Sequence, residues 1–171
     1  MLLQLTLTSS LRGVHITTQF SLKLFHPPNA DGTRNPAPPV WSTRAVENQV
    51  FDEEQYNFYA DDLAIELSED GSSFTIKSIV DPEIAVDLKF TRKSPGFKIG
   101  KDGRTGFGWD EANPWGFLRH VFWPRCHVEG SVVVKGERWW SEDVAGKGFL
   151  TMAIQAMKPH HAGMLKNFLA I

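Results

Sequence analysis

The sequence predicts an all-β fold, an antiparallel barrel or sandwich carrying one or two short helices. Three observations point there. Apolar and polar residues alternate at period two through much of the chain, turn-forming Gly, Asp, Asn and Pro separate the alternating runs, and no regular series of crossover helices divides them. With 171 residues, 42% of them hydrophobic, the chain can bury one sizeable core. Closure into a barrel would protect the edge strands.

The first strand is read from Leu3, Leu5 and Leu7, which alternate with Gln4 and Thr6. A second follows from Ile16, Thr18, Phe20, Leu22 and Leu24, which share one face only in an extended chain. Residues 26–40, rich in Pro, Gly, Asn and Asp, read as an exposed loop. Beyond an acidic and aromatic stretch from Phe51 to Tyr59, Leu63, Ile65 and Leu67 alternate again, and Glu69-Asp70-Gly71 turns the chain into a hairpin partner containing Phe74 and Ile76. Ile84, Val86, Leu88 and Phe90 mark a clean strand; Pro95-Gly96 turns into a short strand with Phe97 and Ile99, ended by Lys101-Asp102-Gly103.

Residues 106–126 hold Trp109, Trp115 and Trp123 among glycines and prolines. Large amphipathic rings need an apolar environment or a ligand, and Pro114 and Pro124 oppose a long helix or an interior strand, so the segment reads as an irregular connection packed on the sheet. Val128, Gly130, Val132 and Val134 resume the alternation, and Lys135-Gly136-Glu137 turns the chain before Trp139-Trp140. Finally Phe149, Met152, Ala153, Ala156 and Met157 form a helical stripe that Pro159 would stop.

Composition narrows the function. Asp and Glu exceed Lys and Arg by 20 to 18, which supplies no overall field for nucleic acid. The single cysteine, Cys126, rules out an internal disulfide and a cysteine-rich metal module. No basic segment precedes an apolar run at the start, and no stretch is long enough to span a bilayer as a helix, so a cytosolic or peripheral protein is expected.

No catalytic residue, metal or cofactor is expected. Gly100-Lys101-Asp102-Gly103, Gly106-Phe107-Gly108 and Gly146-Lys147-Gly148 lack the context of nucleotide-binding loops. His120, Cys126, His127, His160, His161 and Asp110 include metal-ligating types, but neighbours such as Cys126 and His127 point to opposite faces of a strand. Ser72, Ser73, Ser131 and a Cys126–His160 pair have no identifiable oxyanion hole or nucleophile elbow, and Glu66, Glu69, Asp70 and Asp87 read as solvated edges and turns. Arg119, Arg125 and Lys158 punctuate the most aromatic sequence, where cations could orient a lipid headgroup at an apolar pocket or simply pack against tryptophan rings. The lipid-pocket candidates are accordingly Trp109, Trp115, Phe122, Trp123, Arg119 and Arg125.

The string from His120 to Gly130, HVFWPRCHVEG, and that from Gln155 to Ala162, QAMKPHHA, closely resemble the fungal survival factor 1 family. FDEEQYNFYADDLAIELSEDG, PGFKIGKDG and ANPWG extend the likeness over nearly the whole chain, and His127, Lys158, His160 and His161 are the signature polar residues. The resemblance implies a lipocalin-like β-barrel or partly open barrel and non-enzymatic binding of ceramide or a related lipid. It further implies transfer between endoplasmic reticulum and Golgi and survival under oxidative stress. A cytoplasmic protein with transient contact to those membranes, and a nuclear pool, is implied as well. The alternative is a structural or protein-interaction barrel without transfer activity. Set against the family pattern, residues 1–171 are expected to form an incomplete amino-terminal domain, short of the family's opening strands and stopping soon after MKPHHA, without its second lipocalin-like domain.

Overall fold

A computed structural model describes residues 2–12, 15–52, 56–140 and 146–157. The described residues form two antiparallel sheets. The smaller contains β1 (Leu2–Arg12), β2 (His15–Phe25) and β3 (Val40–Val46), with β2 in the middle. Its register pairs Leu5 with Leu22 and Leu7 with Phe20, and these four side chains are buried together with Leu24. The period-two pattern of the sequence thus becomes one dry face.

The larger sheet begins with the short edge strand β4 (Val50–Phe51) and its neighbour β5 (Phe58–Ala60), followed by β6 (Leu63–Leu67), β7 (Ser73–Asp81) and β8 (Ile84–Arg92). It is completed by β9 (Phe97–Ile99), β10 (Thr105–Phe107), β11 (Gly116–Val134), β12 (Glu137–Trp140) and β13 (Gly146–Met157). Ile84, Val86, Leu88 and Phe90 of β8 are buried at every second position while their neighbours Ala85, Asp87 and Lys89 face out. The buried apolar residues of both sheets belong to one cluster, so the sheets share a core. Burial of a side chain such as Leu24, Ile76 or Leu88, each 0% exposed, is worth about 1.5–3 kcal/mol. At the rim, Ser42 Oγ donates to Asp81 Oδ2 at 2.6 Å and Arg44 Nε approaches the same oxygen at 2.9 Å, joining β3 to β7.

Strand β11 organises the rest. Its 19 residues pair with β10, β9 and β8 in succession along one edge, and with β13 and β12 along the other. The pairing with β13 slips between Trp123 and Cys126: Trp123 faces Leu150, but Cys126 faces Gly148. At the same place the pairing with β9 has ended at Phe122 and that with β8 starts at Cys126. Pro124 occupies this gap in the ladder, where its missing N–H costs no regular strand bond. The slip also switches which residues face the core, from Val121 and Trp123 to Cys126, Val128, Val132 and Val134.

Three expectations are corrected here. The described residues contain no helix: the stripe built on Phe149, Met152 and Ala153 lies in strand β13, because eleven consecutive or bulge-separated partners on β11 outweigh a local helical spacing. The segment read as an irregular connection is irregular only over residues 108–115; its remainder lies in β10 and β11, where Pro124 is absorbed by the bulge. Nor is there a closed barrel: the sheet is curled and partly open, with no pairing between β4 and β13 among the described residues.

Glycine is required where β11 crosses β8. Gly130 has φ 122°, and a Cβ there would lie 2.1 Å from the carbonyl oxygen of Asp87. Gly136 also has a positive φ, 81°, but open space around it. Gly130→Ala should therefore destabilise the protein by about 3 kcal/mol and lower Tm by roughly 6–12 °C. Gly136→Ala should cost about 1 kcal/mol; thermal unfolding of the two variants side by side checks the contrast. In the β6–β7 turn, hydrogen bonds from the hydroxyls of Ser68 and Ser72 and the Ser72 N–H hold the Asp70 carboxyl down at about 2, against an ordinary 3.8. Since the folded value is depressed, the contribution of this turn is complete above pH 4 and is lost as pH falls through about 2. A carboxyl NMR titration of wild type against Asp70→Asn should show that low midpoint only in wild type.

Candidate functional site

The bulge in β11 builds the site. Before it, Arg119, Val121 and Trp123 stand at alternate positions and share one face. Across the ladder, Met152 is opposite Val121 and Leu150 is opposite Trp123. All five line a cavity of about 280 Å³, which Leu67, Gly71 and Phe74 of the β6–β7 hairpin close from the side, with Tyr56 and Lys98 also at its wall. The walls are thus aliphatic and aromatic, with two cations, a phenol and the Trp123 indole N–H as polar side-chain groups.

Trp123 is the floor of this pocket and is 7% exposed. Its ring lies 5.0 Å from that of Phe74, with the planes tilted by 47°. The Arg92 guanidinium carbon stands 5.3 Å from the indole centroid, within cation–π range. Gly96 lets the β8–β9 connection run against the indole edge, since a Cβ there would meet Trp123 Cδ1 at 2.8 Å. The indole is therefore fixed by its surroundings before any ligand arrives.

The opposite face of the same strands is aromatic and partly open to solvent. Phe97 of β9 stacks on Phe122 of β11 at 4.9 Å, and Phe149 of β13 lies 5.9 Å from Phe122. His120 packs 4.1 Å from the Phe122 ring, and its Nε2 is 3.0 Å from Thr151 Oγ1. Phe97, Ile99 and Phe149 are each close to half exposed.

Of the residues singled out from the sequence, Arg119 and Trp123 come together in the pocket. Phe122, their neighbour on β11, faces the other side. Trp115 packs on Phe107 at 5.4 Å, Trp109 is fully exposed, and Arg125 is exposed beside the bulge. His127 has its Nε2 3.8 Å from Glu129 Oε2. Lys158, His160 and His161 lie outside the described residues. Sequence reasoning missed Leu67, Phe74, Lys98, Val121, Leu150 and Met152. Stepping by two from Trp123 would have found Val121, had the segment been read as a strand; Leu150 and Met152 depend on the register of β13.

The chemistry-bearing alternatives have structural partners. The Asp110 carboxylate accepts from Ala112 N and Asn113 Nδ2, both at 2.9 Å, and caps a turn. Its own carboxyl is held below the ordinary range, chiefly by the Asn113 bond. Cys126 is buried, its Sγ 3.7 Å from the Trp123 carbonyl oxygen, and burial pushes the thiol up, away from the reactive thiolate. Ser72 Oγ donates to Asp70, and Glu66 accepts from the Tyr59 hydroxyl at 3.1 Å. Among the described residues no three His, Cys, Asp or Glu side chains converge as metal ligands.

The chain is 44% identical over 161 residues to the ceramide-binding protein svf1 of Emericella nidulans, covering 94% of this chain and 40% of the relative. It is 45% identical over 161 residues to the protein of that name in Aspergillus fumigatus, covering 94% and 38%, and 38% identical over 168 residues to the Kluyveromyces lactis protein, covering 94% and 40%. The chain thus spans about two-fifths of these relatives' length. A solved structure of a candidate AttH protein from Nitrosomonas europaea superimposes with a TM-score of 0.51 at 13% identity, covering 90% of this chain and 49% of the other, a likeness of fold. The profile of the Svf1 family matches residues 1–171, the whole length on which the bulged strand, its pocket and its glycine contacts are built, and the chain belongs to that family.

Proposed function

We propose that this chain is a non-catalytic lipid-binding domain whose pocket shelters an acyl chain of ceramide or a related sphingolipid. The observation that carries the reading is the apolar cavity over Trp123, found in a chain whose relatives, at 44% and 45% identity, are named ceramide-binding proteins. Each methylene moved from water into such a cavity contributes ~0.8 kcal/mol, so binding needs no bond making. At about 280 Å³ the cavity is at the small end for a ligand site and suits a segment of one chain, with the remainder of a two-chain lipid over the open mouth.

In the longer family proteins the chain would form one lipocalin-like domain. The carrier reading places it in the cytoplasm, with a nuclear pool and transient contact at endoplasmic reticulum and Golgi membranes, moving lipid between them and aiding survival under oxidative stress. No helix among the described residues is long and apolar enough to cross a membrane. The half-exposed Phe97, Ile99 and Phe149 offer an apolar face for such contact, lying back to back with the pocket.

A filled cavity tests the reading. Val121→Trp should leave the far-ultraviolet circular dichroism spectrum intact and reduce retention of ceramide in native mass spectrometry at least tenfold. A variant on the other face, Phe149→Ser, should retain ceramide and lose liposome association instead. Ceramide retained equally by wild type and Val121→Trp would exclude this cavity as the site. A folded wild type that takes up no ceramide would favour a structural or interaction domain.

A further inference from the structure

We propose that this pocket prefers an amphiphile with an anionic headgroup, a phosphate or carboxylate held between Lys98 and Arg119. The proposal rests on the lipid-binding reading and specifies the ligand class within it. Lys98 is the register partner of Val121 on β11, so Arg119, two residues away on the same face, is its diagonal neighbour, and both line the cavity. Like charges so arranged repel each other. Among the described residues neither has a carboxylate within 4.0 Å, whereas Arg44 meets Asp81, Lys89 approaches Glu129 and Lys135 approaches Glu83.

Nearby cations have other employment. Arg92 stands over the Trp123 ring, and Arg104 over that of Phe117 at 4.7 Å. Lys98 is seated differently: its stem lies on Gly103, whose φ is 76° and where a Cβ would come 2.8 Å from Lys98 Cδ. A glycine under the stem lets the ammonium reach the pocket wall. Among the described residues no acidic side chain lines the cavity, and the Tyr56 hydroxyl and the Trp123 indole N–H are its other polar side-chain groups. A neutral headgroup would offer no counter-charge to the exposed Lys98 and the half-buried Arg119. One anionic group between them would remove the repulsion and accept charge-assisted hydrogen bonds from both.

The test compares C16 ceramide with the corresponding ceramide 1-phosphate on the purified full chain at low salt, read by native mass spectrometry, with inorganic phosphate as competitor. Ceramide 1-phosphate should bind roughly tenfold more tightly than ceramide. The advantage, taken as the ratio of the two lipids on the same variant, should fall below about twofold in Lys98→Gln/Arg119→Gln. Because Lys98 is exposed, Lys98→Gln alone provides a second variant that keeps the fold, and it should lose part of the advantage. Competition by millimolar phosphate would identify the anion itself as the recognised species; absence of competition would identify the phosphate as part of the lipid. Equal binding of the two lipids, or a preference that survives the double substitution, overturns the anionic headgroup while leaving the lipid pocket standing. Failure of wild type to bind either lipid overturns both.

Discussion

The one-residue slip of β11 against β13 decides what lies on each side of the sheet. Without it, a strand that faces Val121 and Trp123 inward would next turn Arg125 and His127 into the core and send Cys126 and Val128 to the surface. The slip keeps both apolar runs on one side while a proline passes through a strand that has partners on both edges. Leu150 and Met152 reach the pocket because they face Trp123 and Val121 in the unbroken register that ends at the slip. The tight approach of Gly148, where a Cβ would lie 2.5 Å from Val128 Cγ2, belongs to the same crossing. The change of core-facing positions along β11 is therefore the consequence of one local irregularity.

A partly open sheet is a suitable frame for a reversible lipid site. The cavity needs one well-packed wall, which Trp123, backed by Arg92, forms with Phe74, and one accessible side, where the β6–β7 turn and Lys98 stand. Removing alkyl surface from water supplies affinity without directionality, so orientation must come from the few polar groups. Arg119 and Lys98 occupy the positions from which they can impose it.

Much of this was legible in the sequence where side chains alternate cleanly. Leu5, Leu7, Phe20, Leu22 and Leu24, and the run from Ile84 to Phe90, were readable because one-sided burial leaves a period-two trace. Segment 116–134 was obscured by its proline and by half-buried residues on both faces, which erase that trace just where the site lies. The carboxyl-terminal stripe misled for a related reason: small and apolar residues at 149–157 satisfy both periods, and only the pairing with β11 chooses between them. Arg119 and Trp123 could be nominated as an aromatic and cationic pair. Lys98 could not, since its role depends on a neighbouring strand and on Gly103 far from Arg119 in sequence.

The central claim is that lipid enters the Trp123 side of β11 and not its Phe122 side. Photocrosslinking with a ceramide carrying a diazirine in its acyl chain, followed by peptide mass spectrometry, addresses it directly. Adducts concentrated on Val121, Trp123, Leu150 and Met152 are the predicted result. Adducts confined to Phe97, Phe122 and Phe149, or spread evenly over both faces, would contradict the account.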